Sequence, residues 1–345
     1  MALSDLQGEM KRVKSRVDDL ILNSLLPKSS GIREVDLLYA MMRDYPSRQA
    51  KGMRPFLCVT ACKAAGGTED DAILTASCIE LFQNWILIHD DIEDGSELRR
   101  GAPALHRKYS ESLALNAGDA LHARTWEALL RNGPALGPER TLSVLQEFSR
   151  MVDETTEGQH MELGWVTARR WDLGEKDYYE MCRKKTSWYT VASPCRLGAI
   201  VAGVGGVVLD ELRDFGMALG VAFQIQDDAL NLVGDEKKYG KATSDDILEG
   251  KRTLILLHLL EVAAAAEREK VIGIMNKERA AKTKDDVAYV LSLVDRYDAV
   301  GYARKKAAEL LKDALGSLKE IQWKGDKESV EMLAAFARFA VEREW

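Results

Sequence analysis

Three aspartates, Asp90, Asp91 and Asp94, follow a largely apolar run and precede Arg99 and Arg100 by less than three helical turns, in ILTASCIELFQNWILIHDDIEDGSELRRG over residues 73–101. A buried helix ordinarily ends in basic residues, because its C-terminal end carries partial negative charge. This one ends in carboxylates, Glu93 included, and Asp90 and Asp94 lie four apart on one face, where like charges repel. The pattern is unfavourable unless a cation accepts it, and a local rule broken without local compensation points to function. It returns in DFGMALGVAFQIQDDALNLVGDEKKYGK over 214–241, where a second small-residue, apolar helix ends in Asp227 and Asp228. The amide of Asn231 stands four residues after Asp227, on the same face. Two such clusters, each at the emergent end of a buried helix, can face each other across a cavity. Carboxylates and an amide, with no His or Cys pair at ligand spacing nearby, suit a hard ion such as Mg²⁺. Such an ion takes its remaining ligands from water and substrate phosphate.

A metal-bound diphosphate still carries negative charge, and Arg or Lys is its natural partner. Arg99 and Arg100 follow the first cluster, and Lys241 and Lys251 follow the second. Two more groups stand apart: Lys51 with Arg54 in AKGMRPFL, and Lys185 beside Thr186 in CRKKTSWY. With 48 Lys and Arg in 345 residues, each taken singly reads as a surface charge, and only the shared context gives them weight.

The elements that must hold these groups are helices. All seven prolines fall at or before Pro194, and the Pro-free remainder is rich in Ala, Leu, Lys and Glu. No alternating pattern supports a sheet. Breaks between helices are expected at Pro27 to Gly31, Gly66-Gly67, Gly133 to Pro138 and Lys324 to Asp326, none of them a flexible linker, so one helical domain over 1–345 is expected. Leu3, Leu6, Met10, Val13, Val17 and Leu20 recur at threes and fours, which predicts an amphipathic helix over residues 1–25, laid on the body or on a partner. A chain of this length at 46% hydrophobic residues can bury a substantial core. Net charge of −7 argues against a nucleic-acid binder. Five cysteines in apolar helical stretches, without framework spacing, predict buried reduced thiols and a cytoplasmic setting. No targeting segment is evident, and LGAIVAGVGGVVL at 197–209 is too short to span a membrane; its four glycines are expected to let helices approach closely.

In order along the chain, these residues resemble the trans-isoprenyl diphosphate synthases, the head-to-tail polyprenyl synthases that make geranyl, farnesyl, geranylgeranyl and longer diphosphates. The family's DDxxD, four further residues and RRG are met by Asp90, Asp91, Asp94, Arg99, Arg100 and Gly101, and GxPxxH continues as Gly101, Pro103 and His106. NxGD is Asn116, Gly118 and Asp119, GQxxE is Gly158, Gln159 and Glu162, and the Lys-Thr pair is Lys185 and Thr186. FQxxDD is Phe223, Gln224, Asp227 and Asp228, followed by Gly240-Lys241 and by EGKxT at Glu249, Gly250, Lys251 and Thr253. Three departures stand out. Lys-Arg-x-Arg-Pro is reduced to Lys51, Gly52, Met53, Arg54 and Pro55. The second motif ends in Asn231, as in some geranylgeranyl diphosphate synthases. The C-terminal FARFAVEREW lacks the basic tail of some farnesyl synthases, with Arg338 and Arg343 as weak substitutes.

The resemblance implies an all-α, single-domain antiparallel bundle of the isoprenoid synthase type around a central cavity, and a homodimer. It implies that Asp90, Asp91, Asp94, Asp227 and Asp228 bind several Mg²⁺ ions bridging an allylic diphosphate (dimethylallyl, geranyl or farnesyl). Arg99 then neutralises the departing diphosphate, with Lys241 and Lys251 as further diphosphate partners. Lys51, Arg54, Arg100 and Gln83 hold isopentenyl diphosphate against the allylic cation. Thr186 and Gln224 border that cation with their oxygens, and Lys185 holds diphosphate. The proton is lost to the released diphosphate, since no side chain is an obvious dedicated base. The growing chain runs beside the helix that carries Asp90, where each turn advances about 5.4 Å, close to one isoprene unit. Trp85 and Phe82, five and eight residues before Asp90, form its floor and argue against long-chain products such as C40, while Asn231 in the second motif favours geranylgeranyl over farnesyl diphosphate.

Two rival readings are a non-catalytic regulatory subunit of a synthase and a terpene cyclase on the same fold. The first typically loses one aspartate motif. The second usually carries an Asn/Ser/Glu metal motif in place of FQxxDD and lacks Lys51, Arg54 and Arg100 as a clamp. This chain keeps both motifs and all three basic residues.

Overall fold

The computed structural model describes residues 3–233 and 244–343. Lys241, one of the expected diphosphate partners, lies outside the described residues. The rest is helical almost throughout: α1 (Leu3–Leu20), α2 (Arg33–Ser47), α3 (Met53–Ala64), α4 (Glu69–Glu93), α5 (Leu105–Lys108), α6 (Glu111–Leu130), α7 (Gly133–Thr167), α8 (Glu175–Cys182), α9 (Ser193–Val201) and α10 (Val207–Val233). Shorter helices follow at Asp245–Glu249, Leu254–Val262 and Ala265–Met275, then longer ones at Lys284–Arg296, Ala299–Glu320 and Lys327–Glu342. The expected all-α class is met. The four expected breaks all coincide with helix ends or, at Gly137, with a kink inside α7. The sequence pattern held no sign of one feature, a hairpin of two residues per strand, β1 (Leu98–Arg99) and β2 (Ala102–Pro103), too short for any alternation to register.

The residues group into two compact units. The first comprises 1–150, 193–212 and 321–336, and the second comprises 151–192, 213–320 and 337–345.

In the first unit α4 is the central helix, packed against α3 and α6, while α3 also lies against α9. Its start is set by a capping box between Thr68 and Asp71, and Glu69, Asp70 and Asp71 complement the helix dipole there. Its other end carries no basic residue in the last turn. By length and composition α4 could cross a membrane, more so than residues 197–209, but 78% of its most apolar window is buried within the protein. α1 buries Leu6, Met10, Val13 and Val17 and packs on α3 and α4, while Leu3 stays half exposed. Of the four glycines at 197–209, Gly198 serves close approach, since a Cβ there would collide with the Cys58 carbonyl of α3; Gly203 and Gly206 have positive φ in a turn. All five cysteines are buried free thiols.

In the second unit, α8 runs directly into π-helical turns at Arg183–Ala192. Such wide turns interrupt the regular ladder and re-aim side chains, often at functional sites. The helix Leu254–Val262 packs against α8 and against Ala299–Glu320.

Candidate active site

The first acid cluster divides by burial. Asp94 is the C-terminal cap of α4, and Asp90 and Asp94, both half-buried, follow one another on the same face. Asp91 turns the other way and is fully buried. One of its oxygens accepts from Arg99 Nε at 2.9 Å and from Arg99 Nη2, and the other accepts from the phenol of Tyr45. The Tyr45 oxygen in turn accepts from the Leu105 amide at 3.1 Å. Burial pushes the Tyr45 phenol up, and the charge of Asp91 adds to it, so the hydroxyl stays a donor. Arg48 stacks over the Tyr45 ring at 4.6 Å and donates to the carbonyls of Arg99 (2.7 Å) and Pro103 (2.9 Å), pinning the hairpin.

The turn of that hairpin is Arg100-Gly101, both at positive φ (51° and 78°). A two-residue turn between twisted strands asks for this at both positions, which favours Asn or Gly over Arg. The left-handed conformation costs a non-glycine residue about 1–2 kcal/mol. Arg100 recovers contacts inside: it donates to the Tyr45 carbonyl (2.8 Å) and to Asn84 Oδ1 (3.1 Å), and lies 3.9 Å from Glu80. Burial pushes the Glu80 carboxyl up while Arg100 opposes the shift. Both arginines of the first motif are therefore turned onto protein acceptors.

Gln83 and Trp85 sit on the buried part of α4, Gln83 with an amide oxygen that meets no hydrogen-bond donor. Lys51 is exposed just before α3, and Arg54 is half-buried in its first turn. Phe82 and Trp85 meet edge to face at 5.2 Å, and Phe82 meets Phe148 likewise at 5.8 Å.

In the second unit the motif residues form one chain of contacts. Thr186 donates to Gln224 Oε1 at 2.6 Å, Gln224 Nε2 donates to Asp228 at 2.8 Å, and the Tyr178 phenol donates to the other oxygen of Asp228 at 2.7 Å. Burial pushes the Asp228 carboxyl well above the usual carboxylate range, with Asp246 adding and Tyr178 and Gln224 opposing. Lys185 pairs with Glu162. Gly158 stands one turn before Glu162, where any Cβ would run into the backbone of Lys185, so α7 can approach the π-helical turns only through glycine. Asp227 points elsewhere: it pairs with Arg343, which stacks over Phe223 at 4.4 Å and whose carbonyl accepts from Gln226 at 2.6 Å. Lys251 pairs with Glu249 at 2.6 Å.

Asn231 takes a role that its spacing did not suggest. Its side-chain oxygen accepts from the Asp246 amide (3.1 Å) and its carbonyl from the Ser244 amide (2.7 Å). The oxygen that shares a face with Asp227 is thus engaged with the backbone of Asp246.

The donor set suits a hard divalent ion. Among the described residues no three His, Cys or acidic side chains converge closely enough to hold an ion alone. Paired carboxylates of this kind fit an ion that completes its shell from phosphate and water. The guanidinium resting on Asp227 marks that carboxylate as one that accepts a cation.

Tyr45, Tyr178 and Arg48 were invisible to motif spacing, because each meets its partner through the fold. Glu162 carried a usable signal: Gly158 and Glu162 are four apart and so share a face of α7.

A family profile for polyprenyl synthetases matches residues 35–294. A short chain isoprenyl diphosphate synthase from Methanothermobacter thermautotrophicus is 36% identical over 85% of this chain and 86% of its own length. A geranylgeranyl diphosphate synthase from Sulfolobus acidocaldarius is 30% identical over 99% of each, and other relatives bear the name geranylfarnesyl diphosphate synthase. Among solved structures, the geranylgeranyl pyrophosphate synthetase of Pyrococcus horikoshii matches with a TM-score of 0.87 at 32% identity, over 99% of both chains. A geranylgeranyl pyrophosphate synthase of Corynebacterium glutamicum, complexed with isoprenyl diphosphate and magnesium, matches with a TM-score of 0.86 at 26% identity, over 98% of this chain and 99% of that one. With these motifs in place, the chain belongs to the polyprenyl synthetase family and is a trans-prenyltransferase.

Proposed function

We propose that the chain condenses isopentenyl diphosphate with dimethylallyl, geranyl or farnesyl diphosphate, and that geranylgeranyl diphosphate is its main product. The observation that carries the reading is the division of the first acid cluster: Asp91 is locked inward by Arg99 and Tyr45, which leaves Asp90 and Asp94 as the paired face. In this reading Asp90, Asp91 and Asp94, and in their own unit Asp227 and Asp228, would hold Mg²⁺ ions for an allylic diphosphate. Asp91 and Asp228 are also held by protein groups, and so orient the arginine hairpin and Gln224 as well. Magnesium, when bound, would draw charge from the departing diphosphate and so ease ionisation of the allylic C–O bond.

The remaining roles fall to this chain's own groups. Lys51, Arg54 and Gln83 hold isopentenyl diphosphate, while Arg99 and Arg100 present positive charge beside it. Lys185, fixed by Glu162, steadies diphosphate, with Lys251 and Lys241 as further candidates. Gln224 is fixed at both ends, its Oε1 by Thr186 and its Nε2 by Asp228. Thr186 and Gln224 thus offer rigid oxygens to the cation, and electrostatic preorganisation of this kind is worth more than donors that must reorganise. The proton leaves with the released diphosphate.

Phe82 and Trp85, both buried, are the proposed floor for the growing chain. Association as a homodimer is proposed with it, as the family resemblance implies. Pyrophosphate release from farnesyl and isopentenyl diphosphates, measured with Mg²⁺ and after chelation, tests the reaction. Release that is unaffected by chelation contradicts it.

A further inference from the structure

Trp85 is held in place in an unusual way. Its indole N–H is buried and meets no hydrogen-bond acceptor, so packing and not hydrogen bonding fixes the side chain. Phe82 on the same helix meets it edge-on at 5.2 Å, and His89 meets it edge-on at 6.1 Å. His122, from α6, stacks on a ring face: the two rings lie 4.0 Å apart and 9° from parallel. His122 is itself anchored, because the indole N–H of Trp126 donates to its Nε2 at 2.7 Å. That bond makes Nε2 an acceptor and places the imidazole proton on Nδ1. Burial pulls the His122 pKa down, Asp119 opposes and His89 adds, which keeps the ring neutral and the bond intact at ordinary pH.

We propose that His122 is the second layer of the product-length floor, a positioning residue that holds Trp85 across the path of the growing chain. This rests on the reading of Trp85 as the floor. Aromatic pairs are worth about 0.5–1.5 kcal/mol beyond the area they bury, enough to bias one side-chain orientation over others. Without the imidazole, Trp85 loses its stacked partner, has no hydrogen bond to hold it, and can turn aside. Behind it stands Trp126, whose other side lines an apolar groove with Leu130 and Leu145. A chain that passes the second layer therefore meets the apolar side chains that line this groove, and elongation can continue.

The test is the chain-length distribution made from farnesyl diphosphate and labelled isopentenyl diphosphate by Trp85→Ala, His122→Ala and His122→Phe, each normalised to total product. The expected result is that Trp85→Ala and His122→Ala both raise the share of product longer than C20 by about tenfold or more, the discrimination a few methylene contacts supply. His122→Phe, which restores a flat ring, is expected to keep the wild-type distribution. If Trp85→Ala lengthens the product and His122→Ala does not, His122 has no part in the floor and the Trp85 reading survives. If neither does, the floor reading fails, and the proposal with it. Lengthening by His122→Phe equal to that by His122→Ala also overturns the stacked-ring account. Should His122→Ala not fold, Trp126→Phe decides: loss of the anchoring donor should lengthen the product, and an unchanged distribution contradicts the proposal.

Discussion

The phenol of Tyr45 donates to the carboxylate of Asp91, a residue 46 positions away, and so ties α2 to the end of α4 at the first aspartate motif. Two neighbouring aspartates in one motif are thereby given different work. Asp91→Asn should lower stability by about 3–5 kcal/mol, the cost of breaking a buried ion pair at one partner. Tyr45→Phe should cost about 1.5–3 kcal/mol, as for a hydrogen bond to a charged group. Asp90→Asn should leave the melting temperature near that of the wild type and lower kcat by about a hundredfold or more. Thermal melts beside steady-state rates separate the three; equal losses of stability at Asp90 and Asp91 contradict the division.

If Asp227 holds metal as proposed, Arg343 competes with the incoming ion for it. The pair is shielded on one side only, with the Asp227 side chain 30% exposed and that of Arg343 4% exposed. A pair of this kind is worth about 1 kcal/mol. Arg343→Gln should therefore lower the Mg²⁺ concentration for half-maximal binding by about fivefold. Calorimetric titration of the protein with Mg²⁺ reads this directly. Weaker binding in the variant indicates that Arg343 helps to build the site rather than to occupy it.

Gly158 is predicted to be the most sensitive glycine of the second unit. A methyl group there must push the Lys185 backbone away from α7, and overpacking of this sort costs about 1–3 kcal/mol or more. Gly158→Ala should lower the melting temperature and raise the KM for allylic diphosphate, because Lys185 moves with its backbone. A stable variant with unchanged KM contradicts the role given to Lys185.

Thr186 is predicted to act through its hydroxyl. Thr186→Val keeps the shape and removes the donor to Gln224, and should reduce kcat by about tenfold, equivalent to 1.4 kcal/mol in the transition state. Thr186→Ser should restore most of the rate. Equal rates for the Val and Ser variants show that the hydroxyl is not used.

Much of this was legible in the chain. α4 announces itself as a buried helix by the apolar run before Asp90, and its acidic end by the absence of basic residues there. Gly158 and Glu162 lie on one face because four residues separate them. What could not be read depends on distant parts of the chain meeting. Nothing near Asp91 names Tyr45, and nothing near Asp227 names Arg343. His122 lies 37 residues from Trp85 in sequence, with no pattern linking the two. Local spacing also misled at Asn231, whose oxygen binds the Asp246 amide. The left-handed Arg100 was equally hidden, since its backbone is set by a two-residue hairpin and paid for by contacts to Tyr45, Asn84 and Glu80.

The most direct measurement is product analysis. Purified protein is incubated with labelled isopentenyl diphosphate, Mg²⁺ and dimethylallyl, geranyl or farnesyl diphosphate in turn, and the products are separated by chain length. The account predicts incorporation with at least one primer and geranylgeranyl diphosphate as the dominant product. A dominant C15 or C25 product keeps the reaction and contradicts the floor at Trp85, and no incorporation with any primer contradicts the assigned activity.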